Sequence, residues 1–105
     1  MEESKKSQLN EILHLYVAKR QVDVASSLIE YFYDRDCFAR SGKQAFITEV
    51  KLEGVPRATI YRIASRLESL GFIDRESRFS GYFLSHGFST KREAESTFWR
   101  HLLKT

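Results

Sequence analysis

The stretch GVPRATIYRIASRLESLGFI, residues 54–73, constrains the fold more than any other part of the chain. Gly54 suits the end of a preceding short helix, and Pro56 suits the first turn of a new one, where its missing N–H has no intrahelical partner to lose. At about 100° per residue, Ile60, Ile63, Ala64, Leu67 and Leu70 gather in one sector, so Pro56–Leu70 is predicted to be a helix with one side in a core. Gly71 is its C-terminal stop. Packing then leaves Ala58, Arg62, Ser65 and Ser69 pointing away, flanked by Arg57 and Tyr61 on one border and Thr59 and Arg66 on the other.

The flanks extend this pattern. Leu9, Ile12, Leu13 and Tyr16 recur at helical spacing within a block from about Ser7, a candidate cap, to Val17. A second block, Asp23 to Asp36, has Asp23 as a candidate N-cap and a stripe of Val24, Ala25, Leu28, Ile29 and Phe32. With no breaker at Arg20-Gln21-Val22, the blocks read equally as two helices or one bent helix. Arg40 to Lys43 is a loop, Ala45-Phe46-Ile47 a short strand, and Thr48 the cap of a short helix over Glu49–Glu53. After Gly71, Phe72–Arg75 and Tyr82–Ser85 are strands joined by a turn over Glu76–Gly81. Thr90-x-x-Glu93 is a capping box for a last helix to about Leu103, with Ala94, Phe98, Trp99, Leu102 and Leu103 on one side.

The 105 residues are expected to form a single domain: N-terminal helices over 1–36, a central unit over 45–88 and a C-terminal helix over 89–105. The fold class is mainly α with a small β-hairpin, hence α+β. No apolar run reaches the roughly 20 residues of a membrane span, and the polar start MEESKKSQ has no signal-peptide core. A lone cysteine, Cys37, forms no internal disulfide and fits a cytoplasmic setting as a buried structural thiol. His14, His86 and His101 lack metal-ligand spacing, and no phosphate loop, nucleophile elbow or carboxylate pair is present. The expectation is therefore no metal, no cofactor and no enzyme activity.

Charge is distributed unevenly. Residues 1–36 carry 5 Lys/Arg against 7 Asp/Glu; the whole chain is +3, so the remainder is +5. Between Val55 and Leu67 stand Arg57, Arg62 and Arg66 with no acid. A polar outward face alone fits any solvated helix. A basic hairpin carrying Arg75 and Arg78 directly after it turns the reading toward nucleic acid. Arginine pairs bidentately with guanine or phosphate, hydroxyls reach base edges, and a small Ala58 permits close approach. Arg57, Ala58, Tyr61 and Arg62 are the expected base contacts, with Thr59 at their border. Ser65 and Arg66 are the expected phosphate contacts, with Arg75 and Arg78 on the backbone or in the minor groove.

A helix, a turn, a second helix and a hairpin in that order is the winged helix–turn–helix arrangement. Gly54-Val55-Pro56, Arg57-Ala58-Thr59-Ile60-Tyr61-Arg62, Leu67-Glu68-Ser69-Leu70-Gly71-Phe72 and the segment Arg75 to Gly81 together resemble the DNA-binding module of winged helix–turn–helix transcription regulators. The likeness is greatest to the IclR type and is shared with MarR-like and PadR-like regulators. It covers residues 46 to about 88 and implies that Pro56–Leu70 is a recognition helix in the major groove, with the hairpin as the wing. The helix before the turn is about one residue shorter than in that pattern, and no effector domain is implied.

The end stripes, Leu9, Ile12, Leu13 and Tyr16 with Phe98, Trp99, Leu102 and Leu103, are read as a homodimer interface; the alternative is packing of the two end helices within one chain. A dimer predicts a palindromic site in double-stranded DNA. The expected function is sequence-specific DNA binding by a small homodimeric transcription regulator. The alternative is a winged-helix protein-interaction or replication/partition accessory module, anchored through Tyr61, Phe79 and Tyr82.

Overall fold

The computed structural model describes residues 1–88 and 93–104. In chain order it contains helices α1 (Glu3–Tyr16), α2 (Val22–Asp34) and α3 (Arg57–Leu70), strands β1 (Ile73–Asp74) and β2 (Phe83–Leu84), and helix α4 (Glu93–Lys104). The α+β class is as expected. Among the described residues no helix is long and apolar enough to cross a membrane.

The first helix starts four residues before Ser7, which lies inside it. Tertiary contacts account for the extension. The Met1 amino group sits 3.2 Å from Asp34 Oδ1, and Lys6 Nζ 3.4 Å from Glu30 Oε1, so α2 holds the early turns of α1 in place. Val17 and Ala18 are extended, and a 3-10 turn at Lys19–Gln21 follows, so the N-terminal blocks are two helices. Asp23 is the second residue of α2 and makes no cap bond; it still places negative charge at the positive end of the helix dipole. Asp36 falls beyond α2, with φ of 58°.

The segment between α2 and α3 departs most from expectation. The strand over Ala45–Ile47 shrinks to one bridge, in which Ala45 exchanges both backbone hydrogen bonds with Tyr82, at 3.0 and 2.8 Å. No helix forms over Glu49–Glu53. A 3-10 turn spans Ile47–Glu49, and the chain then extends through Val50. Five residues offer at most one hydrogen-bonded α-turn against the cost of nucleation. Extending Val50 buries its side chain completely. Gly54, at φ of 75°, is the third residue of a tight turn closed by Val55 N–H to Leu52 O at 3.1 Å. Pro56 is extended and precedes α3, one place before its expected position, and its carbonyl accepts from Thr59 and Ile60.

The hairpin strands are two residues each, half the expected length, with Ile73 opposite Leu84 and Asp74 opposite Phe83. After β2 the chain returns to the core at Phe88, whose ring stacks on Phe72 at 4.1 Å while Trp99 meets Phe72 edge-on at 4.9 Å. The Trp99 indole donates to Ser85 O at 2.7 Å. Arg40 donates to the Leu103 carbonyl near the end of α4. The expected Thr90–Glu93 capping box and the side chain of Ala94 lie outside the described residues.

This packing places the end stripes inside one chain. Leu9, Ile12, Leu13, Trp99, Leu102 and Leu103 are all buried within one chain, and Tyr16 and Phe98 are half-buried against the same core. The alternative, intramolecular packing, therefore accounts for them. Two short helices can cover these stripes because α2, Phe72 and Phe88 supply the remaining apolar surface, so the stripes do not call for a second copy. Cys37 is also buried, and burial raises its thiol pKa above the ordinary value.

Candidate nucleic-acid interface

Helix α3 docks through Ile60, Ile63, Ala64 and Leu67, all buried, with Leu70 half-buried at the end. Its outer side exposes Arg57, Ala58, Tyr61, Arg62, Ser65, Arg66 and Ser69; Thr59 is half-buried. Apolar spacing alone decides this division, because a helix with one buried sector must turn the opposite sector out. Fourteen residues make a cylinder roughly 21 Å long, slim enough for a major groove about 12 Å wide. The first turn contains no acid and no side-chain cap, which leaves the positive end of the helix dipole uncompensated beside Arg57.

The candidate cations fall into two groups. Arg66 Nη2 donates to Tyr16 O at 3.1 Å, which satisfies a carbonyl left open where α1 ends. Arg75 is held still more firmly. Its Nε lies 3.2 Å from Glu68 Oε2, its Nη1 donates to Arg78 O at 3.4 Å, and its guanidinium sits 4.8 Å from the centre of the Tyr82 ring. Both arginines tie elements of the scaffold together.

Arg57 shares that role in part, and Arg62 and Arg78 are differently placed. Arg57 Nη1 reaches Ile47 O at 2.9 Å and steadies the 3-10 turn from an exposed position. Arg62 is exposed in the middle of the outer face, between Ala58 and Ser65. Arg78 is exposed at the hairpin tip, its guanidinium 5.0 Å from the centre of the Phe79 ring. Tyr61 is 41% exposed, and its ring is available on the outer face.

Glu68 is the residue that sequence reasoning missed. It accepts from Arg75 on one oxygen and from the Tyr82 hydroxyl on the other, at 3.1 Å, and so fastens the hairpin to α3. Burial and the neighbouring carboxylate push the Tyr82 phenol up to about 12. No local pattern marks this cluster, because its members are 7 and 14 residues from Glu68. Gln44, also missed, accepts from Gly81 N–H at 3.2 Å and holds the other limb of the hairpin. Tyr82 is only 4% exposed and so cannot anchor a protein partner, whereas Phe79 is 79% exposed.

Comparison of the chain with family models, with curated proteins and with solved structures finds no match in any of the three.

Proposed function

We propose that the chain is a winged-helix protein that binds duplex DNA sequence-specifically to regulate transcription, with α3 in the major groove and the hairpin as a wing. One observation carries the reading. The apolar docking of α3 turns Arg57, Ala58, Tyr61, Arg62 and Ser65 outward on one uninterrupted face that bears cations and no acid. Such a face provides bidentate donors, hydroxyls and a small apolar contact, the chemistry that base edges in the major groove take.

Topology supports it. The bridge between Ala45 and Tyr82 adds a third, one-residue rung to the hairpin, which gives the order helix, rung, turn, helix, hairpin. The helix that ordinarily precedes the recognition helix is reduced here to the 3-10 turn at Ile47–Glu49. In this reading Arg57, Ala58, Tyr61 and Arg62 face bases, Ser65 and Arg78 face phosphates, and Arg66 and Arg75 hold the scaffold that aims them. Thr59 lines the border.

Selection of bound duplexes from a random pool tests the proposal, and an enriched motif is the expected result. Inverted repeats among the winners would report two copies on the site, and single motifs one copy. Affinity should fall steeply with salt as phosphate counterions are released. No measurable affinity for any duplex at low salt would refute the proposal.

A further inference from the structure

The most exposed large apolar side chain is Phe79, at the tip of the hairpin. A lone exposed phenylalanine usually folds back over nearby apolar surface, and the Tyr82 ring is three residues away. That ring is already covered by the Arg75 guanidinium. The tip is also fixed in shape. Ser80 N–H donates to Ser77 O at 3.0 Å, Phe79 N–H to Ser77 Oγ at 3.2 Å, and the two serine hydroxyls lie 3.1 Å apart. Arg75 holds the Arg78 carbonyl from one side, and Gln44 holds Gly81 from the other. A side chain of Gly81 would meet Gln44 Cβ at 2.9 Å, so the limb that returns to the core passes close to its neighbour. Phe79 is therefore presented outward by a preorganised turn, which lowers the entropic cost of using it in a contact.

Arg78 places its guanidinium over one face of the ring, 5.0 Å from the centre, and at 79% exposure the other face is open. An apolar ring with one open face and a guanidinium on the other matches one ligand chemistry well: a base step, with its stacked faces, next to a phosphate. We infer that Phe79 is a wedge that enters the minor groove of bound DNA and stacks at one base step while Arg78 holds an adjacent phosphate. The inference rests on the DNA-binding reading and adds to it the part of the duplex that the hairpin deforms. Pyrimidine–purine steps, which unstack most readily, are the preferred place of entry.

The test uses the full chain and a selected duplex with 2-aminopurine substituted, one position at a time, across the segment flanking the major-groove motif. Wild-type protein should raise 2-aminopurine emission at one step, because unstacking relieves its quenching. F79A should abolish that rise and weaken binding about 5- to 150-fold, with the salt slope unchanged. F79W should keep the affinity, since an indole stacks at least as well as a phenyl ring. R78A should lower the salt slope by about one. If wild type binds with a steep salt dependence while F79A binds equally tightly and no position brightens, the wedge is refuted and the DNA reading stands. An F79A protein that keeps its DNA affinity but loses a protein partner would also refute the wedge, and would assign the ring to that partner. Failure of wild type to bind any duplex would refute both.

Discussion

Arg62 and Arg66 are four residues apart on one helix and both read as DNA contacts in the sequence, yet of the two Arg66 is engaged within the described residues, by the carbonyl at the end of α1. The difference follows from where another helix stops, which no window around residue 66 contains. Arg62→Ala should therefore leave unfolding unchanged and cost about 1–3 kcal/mol in DNA affinity, concentrated at one base pair, as read by competition between mutated duplexes. An equal loss on all sequences would make Arg62 a phosphate contact. Tyr82 belongs to the same scale. Its pKa in the folded chain is raised to about 12, against an ordinary 10, by burial first and then by Glu68, with Arg75 opposing. The folded state thus keeps the phenolic proton longer than the unfolded state does. The stabilisation is fully present below pH 10 and is lost as pH rises from 10 to about 12. Tyr82→Phe should cost about 1–2 kcal/mol at neutral pH through the lost hydrogen bond to Glu68. The gap to wild type should narrow across the window from 10 to about 12, as measured by urea unfolding at stepped pH. A gap that stays constant through pH 12 would show that the phenol does not carry this linkage.

Among the elements, the long amphipathic ones were legible and the short ones were not. The position of α3 and its buried sector follow from Ile60, Ile63, Ala64 and Leu67 together with the stop at Gly71. The segment 45–53 could not be read in the same way. Its few residues gain too little from local hydrogen bonds, so tertiary terms decide: Val50 goes to the core and Ala45 to the edge of Tyr82. The face of α3 was likewise legible from periodicity, whereas the diversion of Arg66 and Arg75 into the scaffold was not: the Arg66 partner is 50 residues away, and Arg75 meets Glu68 only because the turn after Gly71 folds the hairpin back onto α3. Gly71 and Gly54 separate two reasons for a glycine. Both have positive φ, 90° and 75°. A Cβ at Gly71 would sit 2.4 Å from the backbone of Gly87, whereas one at Gly54 meets nothing within 4 Å. Gly54→Ala should cost only the left-handed conformation, about 1–2 kcal/mol. Gly71→Ala should cost about 2–4 kcal/mol, because the exit of α3 must also part from the turn after β2 that passes beside it. Urea midpoints of the two variants check the order, and equal losses would remove the contact at Gly87 from the explanation.

At the scale of the molecule, one aromatic cluster joins parts of the chain that are far apart in sequence. Phe88 meets Tyr16 at the end of α1 at 5.4 Å, Phe72 at the exit of α3, and Trp99 on α4. Trp99 is the only tryptophan, is 1% exposed, and hydrogen-bonds to Ser85 just beyond β2. Its emission therefore reports on the junction of α4 with the exits of α3 and the hairpin. If this junction unfolds together with the remainder, the fluorescence and far-UV circular dichroism transitions in urea should coincide. Separate transitions would identify α4 as a unit that detaches on its own. Trp99→Ala should cost about 3–5 kcal/mol, a large share of the roughly 5–15 kcal/mol that domains of this kind possess, and is followed by circular dichroism because the fluorophore is gone. Position and function then separate cleanly. The outer face of α3 exists only while its inner face is docked, so Trp99→Ala should lose DNA binding in step with helix content as urea is raised, whereas Arg62→Ala should lose binding at full helix content. A Trp99→Ala protein that kept its helices and its stability but failed to bind would place Trp99 in the interface instead of behind it.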